Sequence, residues 1–600
     1  MCGLCGTFTP DGTLNRALTA AMHSRLVHRG PDETYSLSTP TLSMKLGRLG
    51  MTALRDGWQP AEDLGGRFVA MTNGEVFNHE DLWARIGHHR PENRVDVAII
   101  PELFARYGPA GLERVDGQFA TAIYDRADNS LYLGRDRFGI CPLYHTTVGS
   151  QVHFCSELKP LVTCVPNSWR LDISAVDQYL ALGNIVAPRT LVKDVWAVPP
   201  GCVVRFGGNT RDTGDTGNAG ETIRYWRYGE FAAEDKPVPA EDVRDALRCS
   251  VRDRLRADVE IGAYLSGGFD STTLVMEAAD VLEKPTRTFS VIFDDAALDE
   301  GRFQREVSEV VGSEHHQIRC GPAHVAAEFE EMVRHCCYPQ RETYNVAALM
   351  LSREVHLTGL KGVISGEGAD ELFFGYDSYA FDGARRKPWD SRPENEQAWG
   401  RADFGWEVDW NRLARRRELC LTAPAHAALS GNEFWRDRLI PFTDHELAGL
   451  TRMQLRSVAD VYVQLGGHLL GDHGDAMLMA NSVEGRYPFL GNSVVALGLR
   501  VADADKVADF EGKACLKAAY ADIVPQPVVR RAKQGFTAYG LSTVADERML
   551  SSWRDLVTAS GIFLPNSLDR LAADRTPDRW DVRLSLISIS MVIDELGLRL

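Results

Sequence analysis

Two apolar patterns alternate along the second half of the chain. Val259, Ile261, Ala263, Tyr264 and Leu265 form a short, nearly continuous apolar run with the composition of a buried parallel strand. The run stops at Ser266-Gly267-Gly268, and the spacing over 274–281 then predicts a helix. A helical pattern from Val238 leads into this unit, and residues 288–293 and 361–365 repeat the strand-like run. Alternation of this kind predicts an α/β doubly wound parallel sheet with its ligand at the carboxyl ends of the strands.

Two stretches break the pattern. Across 192–228 the chain turns at Val198-Pro-Pro-Gly201, and 207–220 is rich in Gly, Asn, Asp and Thr without apolar periodicity. That composition reads as a surface loop or linker. It predicts a first domain at 2–206, a linker at 207–224 and a second domain at 225–600. The other break is an insertion near 377–450 with Trp389, Trp399, Trp406 and Trp410. Its aromatics either pack a small helical insertion or line a pocket. Its basic runs, Arg385-Arg-Lys387 and Arg415-Arg-Arg417, are expected on solvated helix faces.

Six hundred residues exceed a single core, in agreement with two domains. No apolar run approaches the ~20 residues of a membrane span, and the N-terminal residues lack the pattern of a signal peptide. A cytoplasmic location is the simplest expectation. Twelve scattered cysteines read as buried thiols, and no second pair completes Cys2-x-x-Cys5 as a metal or redox site. The net charge of −17 argues against a nucleic-acid partner.

The strongest chemical signal is the turn itself. Gly267 and Gly268 let a ligand approach the backbone, and the helix opening at Asp270-Ser271 favours an anion. This strand–turn–helix resembles the pyrophosphate-binding loop of ATP pyrophosphatases. A second strand ends alike, in Ser365-Gly366-Glu367-Gly-Ala-Asp370-Glu371. Two such turns suggest one nucleotide site, with Asp270 and Asp370 as oxygen ligands for Mg²⁺.

At the other end, Cys2 follows Met1. Removal of Met1 would give the thiol its own α-amine, whose pKa of about 8 suits a general base. His28-Arg-Gly-Pro-Asp32, Gly47-Arg48-Leu49, Asn73-Gly-Glu-Val-Phe-Asn-His79, Gly134-Arg-Asp-Arg-Phe-Gly139 and Ser156-Glu-Leu-Lys159 follow in order. Together these resemble the class II glutamine amidotransferase domain, an α+β N-terminal-nucleophile αββα sandwich. The resemblance implies that Cys2 attacks the glutamine amide, with Asn73 and the Gly74 N–H as oxyanion hole. It also implies that Arg48 holds the α-carboxylate and that Glu75 and Asp96 hold the α-ammonium. Two departures are the missing acid two places after Asp96 and the missing aspartate after Arg48-Leu49.

Asp299-Glu300, His315-His316, Asn481-Ser-Val-Glu-Gly-Arg-Tyr-Pro-Phe-Leu490 and Arg531-Ala-Lys-Gln-Gly-Phe536 extend the likeness to the synthetase domain of asparagine synthetases. By that resemblance ATP adenylates a carboxylate and ammonia attacks the acyl-adenylate. Lys533 would neutralise charge on the α-phosphate, Glu367 would take the proton, and Leu265, Val291 and Gly366 would line the nucleoside pocket. A homodimer is one assembly it allows. The acceptor loop departs from the family: bacterial relatives place an arginine where an ungapped reading puts Thr343, within Gln340-Arg341-Glu-Thr343-Tyr344. Arg341 would substitute if the loop slipped. Phe374 replaces the first glycine of a Phe-Gly-Gly-Tyr motif, whose second survives as Gly375. The acceptor is therefore expected to be a carboxylic acid other than aspartate, such as one from specialised metabolism. A true asparagine synthetase and an internal-amine cyclase using Tyr344 are the alternatives.

Overall fold

Strands Gly3–Phe8, Phe68–Val76 and Ser130–Arg135 are buried along almost their whole length. Two stacked sheets covered by helices demand that pattern. The computed structural model describes residues 1–10, 14–87, 92–207, 220–232, 237–282, 285–384, 391–531, 535–574 and 579–600. One sheet runs in the order Val195–Ala197, Tyr144–Val148, Gln151–Cys155, Gly3–Phe8, Leu42–Arg48, Glu33–Ser38. The other runs Glu221–Arg224, Cys202–Gly207, Ser130–Arg135, Gly117–Asp125, Phe68–Val76, Ala61–Glu62. Helices Arg16–Ser24 and Leu158–Cys164 pack on the first sheet, and Ile99–Tyr107 packs on the second. This is the αββα sandwich.

The expected linker belongs partly to this domain. Glu221–Arg224 pairs antiparallel with Cys202–Gly207, so the sheet continues to Arg224 instead of ending at 206. Polar composition marked the connection between two paired strands. The segment 208–219 lies outside the described residues.

The second domain carries an all-parallel sheet in the order Glu314–Cys320, Arg287–Phe293, Ile261–Tyr264, Gly362–Ile364, Glu484–Arg486. The chain lays Ile261–Tyr264 first, adds two strands on one side and then two on the other. The order therefore reverses beside the carboxyl end of Ile261–Tyr264, where ligand crevices form in such sheets.

The insertion is helical, with Asp377–Ala384, Pro393–Trp399, Trp410–Cys420, Ala423–Leu429 and Asp444–Ala448. Trp399 and Trp406 are fully buried, the Trp406 indole donates to Asp460, and Trp410 stacks on Phe434. Trp389 and Arg385-Arg-Lys387 lie outside the described residues. The other basic run is not a solvated face. Arg416 is buried over the Trp580 ring and donates to the Leu180 carbonyl, while Arg417 grips both oxygens of buried Asp177 at 2.7 and 2.6 Å. Of the three, Arg415 faces solvent. Leu180 and Asp177 come from the first domain, whose helix Ile173–Leu182 is buried at every position. Among the described residues no helix is long and apolar enough to cross a membrane.

Candidate functional site

Cys2 leads directly into the strand Gly3–Phe8 and is buried at the seam of the two domains. Its backbone N–H donates to the Asn73 side-chain oxygen. Asn73 sits in Phe68–Val76, and its Nδ2 is buried without a hydrogen-bond partner. An amide held through its oxygen, with its Nδ2 left unpaired, keeps a donor of the kind that can meet a negative charge. Gly74 has φ +139°, and a Cβ there would come within 2.0 Å of the Gln118 carbonyl oxygen. Burial pushes the Cys2 thiol up, against the pull of the N-terminal ammonium.

A cavity of about 460 Å³ has Thr52, Glu75, Arg94 and Asp96 in its lining, which does not include Cys2 or Asn73. Burial, then the neighbouring Asp96, hold the Glu75 carboxyl well above the usual range. Asp96 accepts from the Thr52 hydroxyl at 3.0 Å and the Val76 N–H at 2.5 Å. Both carboxyl groups line the cavity, and the Arg486 guanidinium lies 3.5 Å from Glu75. Arg48 behaves differently from expectation. Its guanidinium donates to Glu33, Gly57, Thr52 and Ala53, bracing the loop that walls the cavity.

The two glycine-rich turns lie side by side. Ser266 and Ser271 hydroxyls lie 3.0 Å apart, and the Gly268 N–H donates to Ser266. Gly267 has φ +76° and leaves room for Phe303. In the neighbouring turn Ser365 donates its N–H to the Arg486 carbonyl at 2.9 Å, and a Cβ on Gly366 would sit 3.3 Å from that of Asp270. Leu265 and Val291 are buried nearby. Glu367 is raised by burial, and its Oε2 has no hydrogen-bond partner. Lys533 lies outside the described residues. Sequence reasoning missed Lys513, whose ammonium bridges Asp270 at 2.5 Å and Asp370 at 2.6 Å. The Lys513 ammonium sits between two carboxylates, oxygen donors of the kind a hard metal ion takes.

Phe374 adopts a left-handed conformation at φ +58°, stacking on Tyr379 at 4.5 Å with the Lys506 ammonium 4.2 Å from its ring. Its side chain points into the core, so this glycine is replaceable. Gly375 is not: a Cβ there would meet Asp370 Oδ1 at 2.1 Å and Lys513 Cε at 2.2 Å.

The acceptor loop is divided between two directions. Thr343 is buried and donates to the Tyr539 carbonyl at 2.6 Å. Arg341 is laid against Gly183 of the first domain, with long contacts of 3.5 Å to the Leu182 carbonyl and 3.4 Å to Gln464. The Tyr344 hydroxyl pairs with His468 Nε2, and His468 Nδ1 lies 2.8 Å from Asp472. His468 and Asp472 occupy wide helical turns, in which Leu470 and Asp475 bond five residues back. Tyr344, His473 and Phe536 rings pack edge to face or tilted within 6 Å of one another.

Comparison with known proteins decides the family. Residues 242–592, more than half of the chain, match asparagine synthase, and residues 1–216 match the glutamine amidotransferase domain. The chain belongs to the asparagine synthase family. It is 29% identical to a glutamine-hydrolysing asparagine synthetase of Bacillus subtilis, over 89% of this chain and 87% of that one. A putative asparagine synthetase of Mycobacterium tuberculosis is 27% identical over the same shares. Amidase chyE of Penicillium rubens is 29% identical over 59% of this chain and 54% of its own length. This family member is a glutamine-dependent, ATP-using amide ligase.

Proposed function

We propose that this ligase amidates a carboxylic acid other than free aspartate. Glutamine binds with its α-ammonium at Glu75 and Asp96. The Cys2 sulfur adds to the amide carbon, Asn73 Nδ2 stabilises the oxyanion, and the tetrahedral adduct breaks its C–N bond as the thiol proton passes to the departing nitrogen; ammonia leaves, and water hydrolyses the remaining thioester to glutamate. In the second domain the acceptor carboxylate attacks the α-phosphate of ATP and expels pyrophosphate at the Ser266–Ser271 and Ser365–Asp370 turns. Ammonia displaces AMP, and Glu367 takes its proton, a role suited to a carboxylate raised by burial. Asp270 and Asp370 would hold Mg²⁺, which neutralises phosphate charge.

The acceptor loop carries the choice of acid. An ungapped reading puts Thr343 in the place of the arginine of bacterial relatives, and its hydroxyl is committed to Tyr539, while Arg341 is turned towards Gly183. Losing a charge-assisted contact to a buried carboxylate costs roughly 1.5–3 kcal/mol. Tyr344 and the half-exposed Phe536 suit a larger, less polar acid held by burial. The relative named an amidase is in keeping with an acceptor outside amino-acid synthesis.

Pyrophosphate release with ATP, Mg²⁺, glutamine and a panel of carboxylic acids tests this. Aspartate should give little above background, and efficient asparagine formation would make the chain an ordinary asparagine synthetase. The Tyr344–His468–Asp472 chain speaks for a second reading, cyclisation through an internal amine. Transfer of ¹⁵N from the glutamine amide into product excludes it.

A further inference from the structure

The Lys513 ammonium lies 2.5 Å from Asp270 and 2.6 Å from Asp370, where the preceding reading puts a metal ion. Its position is built. Lys513 has φ +62°, an unfavourable conformation for a side chain of this kind, and its N–H donates to the Phe373 carbonyl at 3.0 Å. Gly512 lies against the backbone of Phe374 and Gly375, since a Cβ there would meet the Phe374 oxygen at 2.0 Å. Gly375 opens the passage for the lysine stem. Two glycines and a left-handed lysine thus deliver one ammonium between two carboxylates. The lysine side chain is 6% exposed, and the aspartates are 16% and 15% exposed.

A metal ion bound to the same oxygens at about 2.1 Å would sit within a few ångströms of the ammonium. Two cations that close repel strongly in a half-buried site. One of them has to move, and the flexible four-carbon stem of lysine allows it. We propose that Lys513 is a positioning residue that holds the metal place as an ammonium ion and swings onto pyrophosphate oxygens when metal and nucleotide arrive together. It keeps free metal off the aspartates and rewards metal that comes with pyrophosphate. This rests on Asp270 and Asp370 being the metal ligands.

Mn²⁺ binding to the full chain, followed by the paramagnetic resonance of free Mn²⁺, tests it without turnover. Lys513→Met should bind Mn²⁺ alone at least about tenfold more tightly than wild type, and Mn²⁺ with inorganic pyrophosphate at least about tenfold more weakly. Lys513→Gln carries the same comparison if the methionine variant fails to fold by circular dichroism. Unchanged or weaker binding of Mn²⁺ alone would overturn the proposal and leave Lys513 as a strut. If Asp270→Asn leaves wild-type Mn²⁺ binding unaltered, the metal assignment fails first and takes this inference with it.

Discussion

Arg29 of the first domain grips both carboxylate oxygens of Asp475 in the second, at 2.7 and 2.8 Å, while its Nε donates to the Cys2 carbonyl. One guanidinium therefore ties the nucleophile to the wide helical turns that carry His468 and Asp472. Arg29→Ala leaves a buried, unpaired carboxylate, at a cost of about 3–5 kcal/mol. Asp475→Asn should lower glutamine hydrolysis although it lies in the other domain. Thermal melts and a glutaminase assay check both. Wild-type hydrolysis in Asp475→Asn would disconnect the two sites.

Asn73→Ala removes the spare donor beside Cys2 and should cut glutaminase kcat by about 10²–10³. Cys2→Ala should abolish it. In both variants ammonium salts should still support ATP-dependent amide formation. Retained glutamine-dependent turnover in Cys2→Ala would show that another group is the nucleophile.

Gly375→Ala places a methyl group on Asp370 and Lys513. It should abolish pyrophosphate release with every acceptor and leave glutaminase activity within about twofold, since the nucleophile lies in the other domain. Assays of the two half-reactions on one preparation decide the matter. Equal loss of both would mean a folding defect.

Lys506 is fully buried between Phe374 and Phe231, with no hydrogen-bond partner for its ammonium, and burial pulls its pKa from 10.5 down to about 8. Between those values the unfolded chain binds the extra proton, so stability rises with pH across that window. At pH 7 the charge costs stability. Lys506→Met should therefore be more stable at pH 7, by on the order of 1–3 kcal/mol, with the gap closing towards pH 10. Denaturant melts of both proteins across pH 7–10 measure it, and a constant gap would refute the buried-charge account.

Local order carried the reading of the turns, because Ser266–Ser271 and Ser365–Asp370 each follow a strand within a few residues. The same holds for Asn73 and Gly74. Pairings across the chain were not legible. Nothing near Arg417 announces Asp177, which lies 240 positions earlier, so a run of three arginines read as a wet face. Lys513 stands outside any recognised motif, with Gly512 as its single local mark. Thr222 and Ile223 hydrogen-bond into a sheet whose other strand precedes a polar stretch, and composition there spoke for a linker. Arg48 shows the converse: the residue was legible, but the loop carbonyls that occupy it were not.

Helix Ile173–Leu182 is buried on all sides, packed by Trp410–Cys420, Ala423–Leu429 and Val582–Leu596 of the other domain, and one apolar core runs from Met1 to Leu598. The family boundaries divide the sequence, but they do not divide that core. Unfolding should accordingly be one cooperative event and not two. Expressed alone, residues 1–224 would carry an uncovered apolar helix and tend to aggregate. A glutaminase half fused so deeply cannot be exchanged like a cassette: any change of nitrogen source has to be made by substitution inside a single folding unit.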